Sequence, residues 1–98
     1  MNRYANVYRH AASLIQDRGW CHKGGLDDDG RICLLIAVTM AAVDRVHDDE
    51  LSGPAGAIAR CVDPDARSGS VYAVIAYNEA PDRTETEVIN LLQKLSET

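Results

Sequence analysis

Cys33, His22 and Asn78 are the residues whose types could combine into a chemical step: a thiolate nucleophile, an imidazole base and an amide that orients the base. Position would help the thiol, because Cys33 stands near the start of an apolar run read as a helix, and a helix start favours the thiolate form. No local signature of a cysteine hydrolase surrounds any of the three, and single Cys, His and Asn residues occur by chance in most chains. The competing assignment is a buried Cys33, a loop His22 and an Asn78 that caps backbone near a helix end. The residues therefore favour a non-catalytic protein, with a small cysteine-dependent enzyme using Cys33, His22 and Asn78 as the alternative.

Metal chemistry is argued against by spacing. Asp27-Asp28-Asp29-Gly30 offers the oxygens that calcium wants, but aligning Gly30 with the sixth position of an EF-hand loop puts Gly25 at the first ligand position. The same alignment puts Ile36 where a bidentate Glu is required. Cys21, His22, Cys33, His47 and Cys61 are the residues from which a zinc shell would have to be drawn, yet no Cys-x-x-Cys pair nucleates one. Cys33 and Cys61 lie in apolar runs that read as core. No metal and no cofactor is expected.

Binding is the remaining use for the polar residues, and two loops carry the candidates. In the first, Trp20 either anchors the loop on the core or stands exposed as a binding hot spot, with His22, Asp27, Asp28 and Asp29 beside it. In the second, Asn78, Glu79 and Arg83 surround Pro81, and Arg83 has Asp27 to Asp29 and Glu79 as candidate ion-pair partners.

These loops must be held by elements that the apolar spacing reveals. Tyr4, Val7, Tyr8, Ala11, Leu14 and Ile15 recur at helical spacing, from Asn2 as N-cap to Gly19 as stop signal. Trp20 to Arg31 is a polar loop with a turn at Asp29-Gly30 that admits a short hairpin. Ile32 to Val43 is too long for a typical strand, has carboxylates upstream, and reads as the central helix, apolar on nearly every face. Asp44 to Glu50 reads as a solvated charged segment. Ser52-Gly53-Pro54 opens a third helix with Ala57, Ile58 and Cys61 as its buried face.

Asp63 to Ser70 reads as a loop. Val71 to Tyr77 fits both the helix and the strand period. A strand would need a partner that the rest of the chain does not offer, so a helix ending near Glu79, just before Pro81, is expected. Thr84-Glu85-Thr86-Glu87 is a capping box, and Val88, Leu91, Leu92 and Leu95 line one face of the helix it opens.

The expected fold is all-α: a compact bundle of four to five short helices around a central apolar helix. The alternative is α+β, with a small hairpin near 20–33 and a strand at 71–77. A chain of 98 residues suits one domain spanning residues 1–98, with a radius of gyration of roughly 13 Å. Phe is absent and Trp occurs once, so the core must be built from short aliphatic side chains and tyrosines, which suit close helix packing. A net charge of -5 argues against unaided nucleic-acid binding and points to a neutral or basic partner. The run Ile32 to Val43 spans about 18 Å as a helix, short of a bilayer core of about 30 Å, so no membrane contact is expected. Three cysteines without a regular framework, and no apolar leader, suit a reducing cytoplasm.

Gly19-Trp20-Cys21, then Asp29-Gly30-Arg31-Ile32-Cys33, then Tyr77 to Thr84 followed by Glu87-Val88-Ile89 form a pattern that spans nearly the whole chain. It resembles a family of small uncharacterised proteins from actinobacteria and their bacteriophages. Members show Gly-Trp, a Gly-x-x-Cys that opens an apolar helix, and an aromatic-Asn-Asp-x-Pro-x-Arg-Thr stretch before an amphipathic helix. This chain departs in having Glu79 where the family usually has Asp, which keeps the charge. It also has Leu35-Ile36 in place of a common Gly-Ala, which puts bulk where members allow close backbone approach over Cys33. The resemblance implies an intracellular setting and a phage origin, and transfers no activity. The expected role is a non-catalytic protein-binding module, a phage accessory protein acting on a host or phage protein. A homodimer is expected if the apolar faces exceed what one small core can bury.

Overall fold

The computed structural model describes residues 4–23, 28–43, 53–62 and 71–97. Over them the chain folds into five α-helices: α1 (Ala5–Arg18), α2 (Leu34–Val43), α3 (Gly53–Val62), α4 (Val71–Glu79) and α5 (Glu85–Ser96). The radius of gyration is 12.1 Å. The expected caps Asn2 and Ser52 and the segments 44–50 and 63–70 lie outside the described residues.

Helix α1 is amphipathic and buries Val7, Tyr8, Ala11, Ala12 and Ile15. Its stop is Gly19, whose φ of 91° only glycine adopts without strain and whose N–H donates to the Ile15 carbonyl. A Cβ there would lie 2.8 Å from Cγ of Arg31. Helix α2 has no charged residue and packs against α1, α3 and α4, so it occupies the centre of the bundle. Ala37, Ala41 and Ala42 of α2 and Ala11 and Ala12 of α1 are buried, and these short side chains let the axes approach closely.

Three expectations are corrected here. The central helix begins at Leu34, not Ile32, because Ile32 is taken into a bridge with Trp20. There is no hairpin across 20–33 among the described residues: Trp20 and Ile32 form one isolated bridge, parallel in sense, closed by Cys21 N–H to the Ile32 carbonyl and Ile32 N–H to the Gly19 carbonyl. In α3, Pro54, Ala55, Ile58 and Ala59 are buried while Cys61 is exposed, so the buried stripe runs one position away from that expected for Cys61.

Two tyrosines fix α1 to the start of α3. The fully buried Tyr8 hydroxyl donates to the Pro54 carbonyl at 2.9 Å, and Tyr4 meets Tyr8 edge to face at 6.3 Å. A Cβ on Gly53 would collide with the Tyr4 hydroxyl, so glycine is required for that approach. Burial, and then the neighbouring Tyr4, push the Tyr8 hydroxyl up to about 12, with Arg60 opposing.

Residues 71–79 are helical, and α4 buries Val74 and Asn78. Helix α5 opens with the expected capping box: Thr84 Oγ1 accepts from Glu87 N–H at 3.2 Å and Glu87 Oε1 accepts from Thr84 N–H at 3.0 Å. Val88 and Leu92 carry its burial, against α1.

Candidate functional site

The two candidate loops meet at Asn78, which is 1% exposed. Its Oδ1 accepts from Trp20 Nε1 at 2.6 Å and from Leu34 N–H at 3.0 Å. Its Nδ2 donates to the carbonyls of Cys21 at 3.0 Å and His22 at 3.1 Å. All four hydrogen-bonding positions of the carboxamide are filled, and the two donors on one side and two carbonyls on the other fix which atom is oxygen. In a continuing parallel ladder, Leu34 N–H would bond to the Cys21 carbonyl; the Asn78 amide takes the place of that rung and joins both groups through itself.

Asn78 was expected to cap backbone near a helix end, without that helix being specified. The end it caps is the start of α2, 44 residues earlier in the chain. Of the described carboxylates upstream of α2, Asp29 pairs with Arg31 at 3.3 Å, both exposed, and α2 has no acidic residue in its own first turn. Cys33 completes the cap. Its Sγ accepts from Ile36 N–H at 3.4 Å, and its carbonyl receives Ala37 N–H.

Trp20 is half-buried against the core and lies 5.0 Å from the His22 ring, centroid to centroid. His22 Nε2 lies 2.8 Å from the Ala80 carbonyl, an acceptor only, so the proton is on Nε2. This bond ties the first loop to the turn after α4. Arg83 closes the same turn from the other side: Nε donates to the Tyr77 carbonyl at 2.9 Å, and the guanidinium lies 3.7 Å from the Tyr77 ring centroid. Among the described residues its ionic partner is Glu87 at 3.1 Å, and not Glu79, Asp28 or Asp29. Burial raises the Tyr77 hydroxyl above its ordinary range, and the Arg83 cation pulls it the other way.

The structure thus brings Trp20, His22 and Asn78 together and adds Cys33 through α2. Arg83 stands one turn away, Glu79 is exposed at the end of α4, and Asp28 and Asp29 are exposed on the loop. Asp27 and His47 lie outside the described residues. No hydrogen bond joins Cys33 to His22 or to the Asn78 amide. Among the described residues, no three His, Cys, Asp or Glu side chains gather in a metal-binding arrangement.

Beside the hub lies a cleft of about 320 Å³ between the start of α2 and the end of α4. Cys33, Leu35, Ile36 and Ile75 make it apolar, and the exposed Lys23 and Glu79 add one charge of each sign. Its volume suits one large side chain or a small ligand. Residue reading missed Lys23 and Ile75. The Leu35-Ile36 departure was the available signal, and those bulky residues form a wall of the cleft.

Five short helices locked by one buried amide, with an apolar cleft next to the lock, define a small all-α fold. The chain belongs to the family of unknown function DUF6197, whose model matches residues 1–98. No curated protein and no solved structure matches it. Among the described residues, no helix is long and apolar enough to cross a membrane.

Proposed function

We propose that the chain is a non-catalytic protein-binding module, a phage-encoded accessory protein acting on a host protein in the cytoplasm. One observation carries this reading: the polar atoms that could do chemistry are engaged within the fold, while the apolar cleft beside them is open. Asn78 uses its full capacity on backbone and Trp20, His22 holds Ala80, Arg83 holds Tyr77 and Glu87, and the Cys33 sulfur takes the Ile36 amide. A base-activated thiol needs its base within hydrogen-bond reach, and among the described residues His22 bonds to Ala80 while the Cys33 sulfur accepts from Ile36. The resemblance to small actinobacterial and phage proteins supports the setting, and the charge of -5 favours a neutral or basic partner over nucleic acid.

The test is affinity capture from an actinobacterial lysate with wild-type bait, a Lys23→Glu/Glu79→Lys bait and a Gln93→Lys control; all three positions are exposed. The reading expects a discrete partner with wild type and control and its loss with the cleft variant. Capture of nothing, where an unrelated bait succeeds, or equal capture by all three overturns it. The cysteine-enzyme alternative keeps one observation, that the cleft reaches Cys33. It requires Cys33 to react with an alkylating agent faster than a model thiol at neutral pH.

A further inference from the structure

The cleft between the start of α2 and the end of α4 combines an apolar wall with two charges that the fold does not use. Cys33, Leu35, Ile36 and Ile75 make the wall, which offers an occupant burial of its apolar surface. Asn78 touches the same space, but the four hydrogen-bonding positions of its amide are already filled. Polar recognition therefore falls to the rim, where Lys23 and Glu79 stand exposed. Neither enters an ion pair or a side-chain hydrogen bond among the described residues. The contrast is with Arg83, which lines the smaller hollow beside Tyr77 and is engaged by both Tyr77 and Glu87. The backbone adds one donor to the cleft wall. Of the first three amides of α2, that of Leu34 goes to Asn78 and that of Ile36 to the Cys33 sulfur, while that of Leu35 has no acceptor among the described residues.

We infer that the cleft is a binding site for a free α-amino acid with an apolar side chain. Size, polarity and charge each narrow the occupant. A volume of about 320 Å³ stands at the lower end of the range for small-molecule sites, about 300–1,000 Å³, so the occupant is a molecule of about ten non-hydrogen atoms. The wall demands an apolar body. The rim, with one cation and one anion, demands a head of both signs: a fatty acid would bring its carboxylate against Glu79, and an alkylamine would bring its ammonium against Lys23. An α-amino acid carries ammonium, carboxylate and side chain on one carbon and so meets all three demands at once. In this assignment Lys23 and the Leu35 amide take the carboxylate, Glu79 takes the ammonium, and the side chain lies against Ile36 and Ile75. The cleft and its two charges carry the inference; the Leu35 amide only orients the head. The site goes beyond the binding-module reading and does not depend on it, and a protein partner that inserts a side chain here competes with the amino acid.

Titration of the isotope-labelled full chain with L-leucine, followed by backbone amide shifts, tests the inference. Leucine should produce saturable shifts at Lys23, Leu35, Ile36 and Glu79, with a dissociation constant of roughly 0.1–1 mM, as suits so small a ligand on a solvent-exposed rim. N-acetyl-L-leucine, which lacks the ammonium, and L-leucinamide, which lacks the carboxylate, should each bind roughly fivefold or more weakly. Glycine, which has no side chain to bury, should give no saturable shift. Lys23→Met should weaken leucine without weakening leucinamide, Glu79→Gln should weaken leucine without weakening N-acetyl-leucine, and Gln93→Lys should leave every ligand unchanged. All three positions are exposed, and matching circular dichroism and melting curves show that the variants remain folded. No saturable shift with leucine, shifts centred away from these residues, or N-acetyl-leucine or leucinamide binding as tightly as leucine each overturn the site. A chain that ignores leucine and still captures a protein through the cleft overturns the site alone and leaves the binding-module reading standing.

Discussion

Asn78 stands in the chain between a tyrosine and a glutamate with nothing to mark its reach. Its residue type and the stretch around it single it out, but its partners at residues 20, 21, 22 and 34 follow only from how α4 is laid against the first loop. Truncating it would strand four buried or half-buried polar groups at once, each costing about 1–3 kcal/mol if water does not replace the amide. Asn78→Ala should therefore destabilise the fold by about 3–5 kcal/mol, measured by urea titration, with the Trp20 emission moving towards that of a solvated indole in the native baseline. A loss below about 1 kcal/mol would mean that the amide fills space without organising the loop. Tyr8 provides a second measurement. Burial raises its folded pKa to about 12 from an ordinary 10.0, so its contribution is fully present below the unfolded value and is lost as pH rises through the folded one. Stability should fall between about pH 10 and pH 12, by on the order of 2–3 kcal/mol from this group, and Tyr8→Phe should flatten that part of the curve while sacrificing the bond to Pro54.

Among the elements, legibility tracks how local the determinants are. Helix α5 is written in four consecutive residues, and its cap is formed as those residues require. Thr84→Ala should cost about 1 kcal/mol in thermal or urea unfolding. Glu87→Gln, which can still reach back to the Thr84 amide but gives up the ion pair with Arg83, should cost less than half of that; equal costs would show that the ion pair, not the box, secures this end. Helix α1 was legible for the same reason, since its apolar period and its glycine stop lie within fifteen residues of sequence. The start of α2 was not. Its first amide is capped by an asparagine 44 residues away in sequence, where no local signal can announce it, and its third by a thiol, which is not a usual N-cap group. The ambiguity over 71–77 had the opposite origin: an apolar run without polar interruptions carries no period. The absence of a strand partner decided it correctly, because backbone groups must be paired somewhere. Cys61 shows the limit of that reasoning, since an apolar neighbourhood in sequence does not tell which side of a short helix a thiol takes.

For the whole molecule, the three thiols form a built-in report on how the bundle opens. Cys61 is exposed on α3, whereas Cys21 and Cys33 are 7% and 3% exposed and lie on either side of the Asn78 amide, one in the first loop and one at the α2 start. If the hub is one cooperative unit, the two buried thiols can be reached only when it opens, and their labelling rates report the same free energy. Cys61 should then label at the rate of a small-molecule thiol. Cys21 and Cys33 should label more slowly by on the order of 10³-fold or more, given the 5–15 kcal/mol typical of small domains, and by similar factors. Asn78→Ala should accelerate both together and leave Cys61 unchanged. Mass spectrometry of peptides after timed alkylation reads all three in one experiment. The two buried sites also differ in a useful way, because the cleft reaches Cys33 and Cys21 is not among the residues that line it. Fast labelling of Cys33 with Cys21 still protected would show that the cleft admits reagents to the thiol without unfolding, and would move the balance towards a cysteine-dependent activity. Parallel protection of both places Cys33 in the architecture, as the cap of the helix against which α1, α3 and α4 are packed.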